Sequence, residues 1–332
     1  MRKLAATALV LGLSACNSTS GSVPNPVATR PPSGTIVEYA IPTAASGPFG
    51  IAQGPDGNMW FTESNTGTNK VAKITPAGVI TEFPLATNSA FPGNIVAGSD
   101  ANLWFVDESA HLGRVTTAGT ITIFAATDPS SIAAGPDNNL WVTEFNGMKV
   151  DVYSTAGALL HSYASNTNPS NLQLELITAG PDGNMWFDTF SGDNVVKMIT
   201  GTGATTTFTL SPTIQNVMRG ITNGPDGNVW AVAADSNLIA RITPAGTLTT
   251  FAIPSANAQP YGIANGPDGN LYFTEPGVNQ TTNKIGRITP TGTITEFTIP
   301  TALSGPALIA TGPSNTVWFT EGRANKIGEL FL

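Results

Sequence analysis

The chain repeats itself seven times. An aromatic residue follows a Gly-Pro-Asp-Gly-like turn as Trp60, Trp104, Trp141, Trp186, Trp230, Tyr272 and Trp318, at spacings of 44, 37, 45, 44, 42 and 46 residues. The clearest copy runs from Pro260-Tyr261-Gly262-Ile263 through Gly266-Pro267-Asp268-Gly269-Asn270-Leu271-Tyr272-Phe273-Thr274-Glu275, and continues from Asn283-Lys284-Ile285-Gly286-Arg287-Ile288-Thr289-Pro290 to Phe297. Self-similarity at such a period restricts a chain to solenoids, propellers or arrays. Helical repeats would carry a 3.6-residue hydrophobic period, and none is visible; short apolar runs between turn residues read as strands.

Each copy reads as four strands. Pro-Asp-Gly supplies the positive-φ position of a tight hairpin between the first and second. A second turn of the Thr-Pro-Ala-Gly type, as at Thr75 to Gly78 and Thr243 to Gly246, joins the third and fourth. Four-stranded units of this period are propeller blades, so the expected fold is all-β, a seven-bladed β-propeller over residues 35–332. The 35 glycines, 25 prolines and only 11% charged residues agree with many short strands and tight turns. The seventh copy stops after its third strand, Lys326 to Leu330, while Thr35 to Tyr39 parallels Thr293 to Phe297. The N-terminal strand is therefore expected to complete the last blade, hiding the edges an open array would expose. A monomer is expected.

Ahead of the repeats, Arg2 and Lys3 precede an apolar run from Leu4 to Leu13 that ends in Leu13-Ser14-Ala15-Cys16. The run is too short to span a bilayer, and the order of charge, apolar run and small residues is that of an export signal. The segment resembles the bacterial lipoprotein signal. Residues 1–15 are expected to be removed, Cys16 to be lipidated, and 16–34 to form a flexible tether. This would anchor the protein on the bacterial cell envelope, at the outer membrane or the periplasmic face, with the membrane as partner through the lipid. Cys16 is the only cysteine, which excludes an intrachain disulfide. A net charge of −8 without a basic stripe argues against nucleic acid as a partner.

Strand order places two rings of residues on one face, the mouth of the channel. The outer ring ends the second strands: Glu63, Asp107, Glu144, Thr189, Ala233, Glu275 and Glu321. Where the acid is present the next strand opens with Lys70, His111, Lys149, Lys284 or Lys326; where it is absent, Val195 or Leu238 stands there. This covariation predicts an exposed ion pair within each hairpin, in preference to a shared cation site. The inner ring, two residues before the isoleucine that opens each first strand, is Phe49, Gly93, Ser130, Glu175, Arg219, Tyr261 and Ala307. It is irregular where the scaffold is regular, as a site grafted on a fold would be, though loop drift would look the same. One arc of it, Glu175, Arg219, Tyr261, Ala307 and Phe49, offers a charged pair beside aromatic surface and is the candidate site for a small molecule or peptide. The opposite arc, Gly93 and Ser130, looks featureless. The tryptophans read as inter-blade core. Neither His111 nor His161 belongs to the inner ring, and there is no Walker loop, CxxC or HExxH motif.

The unit Gly-Pro-Asp-Gly-Asn-Leu-Tyr-Phe-Thr-Glu followed by Asn-Lys-Ile-Gly-Arg-Ile-Thr-Pro resembles the repeat of the virginiamycin B lyase (streptogramin lyase) family, over all seven copies. The resemblance implies a magnesium-dependent carbon–oxygen lyase that opens streptogramin B-type cyclic depsipeptides by elimination. It also implies histidines in the inner-ring position of the last two blades, where this chain has Tyr261 and Ala307. A metal-associated glutamate of the family corresponds to Gly305 and a substrate-side tyrosine to Phe49, and only Glu321 matches an acidic family residue. The expectation is a non-catalytic binding module without a cofactor. The alternative is a lyase using magnesium, with Glu321 as the surviving metal ligand.

Overall fold

The computed structural model describes residues 30–86, 91–165, 173–189, 194–210 and 218–332. Cys16, with the rest of the signal and most of the tether, lies outside the described residues. From Pro32 onward the chain forms one compact unit of seven four-stranded antiparallel sheets. Six are built from consecutive strands. The seventh joins the N-terminal strand Ile36–Ala40 to Lys326–Phe331, Thr316–Glu321 and Pro306–Gly312, in the register Ile36 to Leu330 through Ala40 to Lys326. The expected closure is present. It begins slightly earlier than the first strand, because the Gly34 amide donates to the Phe331 carbonyl at 2.8 Å.

The structure explains why the turn aspartate and the aromatic recur together. Asp56, Asp100, Asp137, Asp182 and Asp226 each accept the indole N–H of the tryptophan four residues on, at 2.9–3.1 Å. Asp268 takes the Tyr272 hydroxyl at 2.9 Å, and in the last blade Thr316 serves Trp318 at 2.8 Å. A buried indole needs a partner for its one donor, and the hairpin supplies it. Each tryptophan then stacks on the fourth-strand aromatic of its own blade, as Trp60 does on Phe83 at 5.5 Å and Trp318 on Tyr39 at 5.5 Å. That aromatic in turn covers the glycine of the next blade's Thr-Pro-Ala-Gly-type turn. A β-carbon on Gly119 would lie 2.1 Å from Phe83, and one on Gly78 2.3 Å from Tyr39. Apolar clusters accordingly lie between blades: Trp230 and Val232 of the fifth pack with Ile263, Leu271 and Phe273 of the sixth.

The outer-ring ion pairs differ from expectation. Lys70, Lys284 and Lys326 reach across to the fourth strand and pair with Glu82, Glu296 and Glu38 at 2.8, 2.7 and 3.3 Å. The same three glutamates accept from a hydroxyl on the connector entering their blade, Thr43, Ser255 and Thr301. Glu63, Glu275 and Glu321 are instead wholly buried beneath these clamps. The covariation reported a shared neighbourhood, not a direct bond. Among the described residues, only Asp107 and His111 form the anticipated contact, at 3.5 Å.

Candidate functional site at the channel mouth

The inner-ring residues owe their position to a bulge. In six blades the pairing of first with second strand skips one or two residues at the mouth end, as between Pro48 and Ile51, Pro92 and Ile95, and Leu174 and Ile177. In the sixth blade the strand proper starts only at Ile263. A bulge re-aims side chains and frees backbone groups. Here the freed groups are claimed by a second-strand threonine. The Thr62 hydroxyl accepts the Gly50 amide at 2.8 Å and donates to the Gly93 carbonyl of the next blade at 2.9 Å. Thr274 bridges Gly262 and Ala307 in the same way, and Thr320 bridges Leu308 and Phe49. Adjacent blades are thereby tied at the residue that faces the mouth. The strands crowd so closely there that a β-carbon on Gly50 would lie 2.4 Å from the Gly93 carbonyl oxygen.

A cavity of about 330 Å³ opens at this face, inside the roughly 300–1,000 Å³ range of small-molecule sites. Its wall takes Phe49, Gly93, Ser130, Glu175 and Tyr261 from the inner ring. It adds Glu108, Asp128 and Phe145, which the sequence reading missed. Arg219 and Ala307 are not part of the wall among the described residues; the Ala307 carbonyl is held by Thr274. The pocket thus spans both arcs, with Phe49, Glu175 and Tyr261 from the candidate arc and Gly93 and Ser130 from the one that looked featureless. Gly93 and Ser130 are small and leave space at the wall, while Arg219 packs against Glu175 and Tyr261. Glu108 and Phe145 directly follow the outer-ring residues Asp107 and Glu144, so one further step along each repeat would have found them. Deeper in the channel a second cavity of about 400 Å³ carries isoleucines, amides and hydroxyls, with no charged side chain among its described lining residues.

Arg219 is occupied. Its Nη1 lies 3.3 Å from Glu175 Oε1, and its guanidinium sits over the Tyr261 ring at 5.5 Å. Tyr261 meets Phe49 edge to face at 6.3 Å. Burial pushes the Glu175 carboxyl up, against the pull of Arg219, and Oε2 of Glu175 is buried without a hydrogen-bond donor. Behind it Asp188 is completely buried, and desolvation together with the Glu175 charge raises its carboxyl well above the ordinary aspartate value. Burial moves the Tyr261 phenol up to about 12, so it holds its proton at neutral pH.

The residues do not fit a catalytic magnesium. Glu321 is fully buried beside Glu38, Ser304 and Lys326, and burial pushes its carboxyl up to about 8, which favours the protonated form. Gly305 and Ala307 have no ligating side chain. Among the described residues no three His, Cys, Asp or Glu side chains converge as a metal-binding group. His111 lies by Asp107 in the second blade, and His161 stacks on Tyr163 at the exposed rim.

The model of the virginiamycin B lyase family matches residues 25–168 and 125–331. A streptogramin B lyase structure superposes with a TM-score of 0.80 at 30% identity, covering 89% of this chain and 96% of the other. Virginiamycin B lyase from Staphylococcus aureus gives 0.81 at 32% identity, covering 90% and 99%. A catalytically inactive histidine-to-alanine variant of that enzyme with quinupristin gives the same values. The extracellular domain of a putative hybrid two-component system from B. thetaiotaomicron, at 14% identity, TM-score 0.70 and coverage of 90% and 43%, shares the fold alone. No curated protein matches the sequence. A seven-bladed ring closed by its N-terminal strand, matched along nearly its whole length by this repeat family, makes the chain a member of the virginiamycin B lyase family.

Proposed function

We propose that this protein is a non-catalytic member of its family, a propeller that holds a small molecule or peptide at the channel mouth. The observation that carries this reading is that neither inner-ring position expected to hold the family's histidine offers a base. An elimination needs a proton acceptor within about 3 Å of the proton it removes. The two inner-ring positions where the family resemblance calls for histidine hold Ala307, which has no base, and Tyr261, which keeps its proton. The catalytically inactive relative that carries alanine for one histidine, with quinupristin, supports the separation of binding from turnover. Incubation with magnesium and quinupristin, followed by mass detection of the opened ring, is expected to show no turnover. Ring opening at ordinary enzyme rates, roughly 1 per second or faster, would overturn the reading.

The site is proposed to work at the envelope, carried by a lipid on Cys16. No helix among the described residues is long and apolar enough to cross a membrane, so attachment would rest on that cysteine. Cys16→Ser is expected to shift the protein from the membrane fraction to the soluble one; unchanged partitioning after detergent-free washing would refute the anchor.

A further inference from the structure

We propose that the mouth cavity selects a small organic cation, an alkylammonium or quaternary ammonium group, seated on aromatic rings within a carboxylate wall. This rests on the reading of the mouth as a binding site and names the class of ligand it takes. Phe49, Tyr261 and Phe145 line the cavity together with Glu108, Asp128 and Glu175, and Asp128 Oδ2 also accepts the Asn146 amide at 2.6 Å. No lysine, arginine or histidine stands among the described lining residues. Arg219, beside the wall, is engaged by Glu175 and the Tyr261 ring. Its stacking there shows that the ring environment accepts a cation.

Three features select this chemistry over its rivals. An anion would meet the Glu108 and Asp128 carboxyls, with no lysine, arginine or histidine among the described lining residues and Arg219 already paired to Glu175. A metal ion needs its ligands to converge on one point, and these carboxylates do not converge; they are spread around a cavity of about 330 Å³, room for a group of several heavy atoms. A neutral apolar ligand would take water from the Glu108 and Asp128 carboxyls that line the cavity, a loss that a positively charged group offsets. An ammonium carrying methyl or methylene groups satisfies both kinds of surface, because its charge is attracted to ring faces and carboxylates while its carbons displace water. Crowding of like charge points the same way: burial, then the charges of Asp107 and Asp128, push the Glu108 carboxyl up, and a bound cation relieves that repulsion.

Choline and its uncharged isostere 3,3-dimethylbutan-1-ol separate charge from shape, and benzoate supplies the opposite sign. Calorimetric titration of the full chain is expected to show choline binding at least tenfold tighter than the alcohol, with no binding of benzoate. Glu108→Gln with Asp128→Asn, which keep side-chain shape, should weaken choline tenfold or more without moving the melting temperature. Phe145→Ala should weaken it independently. Equal affinity for choline and the alcohol, tighter binding of benzoate, or choline binding indifferent to the substitutions would overturn the cation assignment while leaving the mouth as a binding site. No saturable binding of any of the three probes would overturn the assignment as well. Failure of the non-catalytic reading would show itself differently, as turnover of the depsipeptide.

Discussion

Asp188 stands where the first, third, sixth and seventh blades have Thr62, Thr143, Thr274 and Thr320. The threonine hydroxyl can both accept an amide from its own first strand and donate to the next blade's inner-ring carbonyl, which an ionised carboxylate cannot do. Asp188 accepts the Leu176 amide at 2.7 Å through Oδ1, while Oδ2 is buried with no donor. A retained proton restores the missing function, and the desolvation and Glu175 charge that raise this carboxyl favour keeping it. Replacement by the repeat's own residue follows as a test. Asp188→Thr is expected to leave the melting temperature unchanged or higher near pH 8, where holding the proton costs most. A fall of several degrees at that pH would mean that the aspartate is needed as an ion, for instance opposite Arg219.

Among the elements, the N-terminal strand bears the most. Tyr39 stacks on Trp318, donates its hydroxyl to Glu329 at 2.8 Å and covers Gly78 of the first blade. Glu38 makes the clamp to Thr301 and Lys326 that Glu82 and Glu296 make in their blades. One five-residue strand therefore finishes one blade and begins the packing of the next. A chain starting at Ile41 is expected to melt several degrees lower or more, with tryptophan emission shifted to the red as Trp318 loses its cover. In the full chain, Tyr39→Ala should cost about 3 kcal/mol, the low end of the range for removing a large aromatic, because Tyr39 is only partly buried. A truncated protein that melts with the full-length one would mean that the ring closes without this strand.

At the scale of the whole molecule, carboxyls shifted in opposite directions set the pH range of stability. Glu63, Glu275 and Glu321 are raised to about 7, 8 and 8, by burial first and then by the charge of Glu82, Glu296 and Glu38 beside them. For such groups the stabilisation is whole below the unfolded pKa of about 4.3 and is lost as pH rises through the folded value. Glu38, Glu82 and Glu296 behave oppositely. Burial alone would raise them, but hydrogen bonds from the connector hydroxyls and the lysines hold them below the usual range. Their contribution is present above the unfolded pKa and is lost as pH falls. The two sets together place maximal stability near about pH 5. Melting is expected to be several degrees higher at pH 5 than at pH 8.5, and the triple replacement of Glu63, Glu275 and Glu321 by glutamine should flatten that difference. A melting temperature that rises from pH 5 to 8.5 would contradict it.

Much of this architecture was legible in the residues because every blade solves the same local problem with the same residues. A positive-φ turn, an aspartate to take an indole N–H, a tryptophan and a fourth-strand aromatic lie within one copy, so their recurrence counted the blades. The unfinished seventh copy and the stray strand at Thr35–Tyr39 told how the ring closes. The inner ring, too, could be listed by position. What escaped were relations between copies. Whether Lys70 turns to Glu63 or Glu82 depends on which carboxylate is left exposed after the connector packs down, and both are reachable in sequence. The mouth cavity gathers Phe49, Glu108, Asp128, Phe145, Glu175 and Tyr261 from five blades; no spacing encodes that meeting. Where the cavity opens depends on volume, since Gly93 and Ser130 leave room between the larger Phe49, Glu175 and Tyr261. The sequence by itself determined the ring and its closure, because those rest on contacts repeated within and between identical units. Only the tertiary structure decided the pocket and the charge states, because desolvation and open space are properties of the assembled surface.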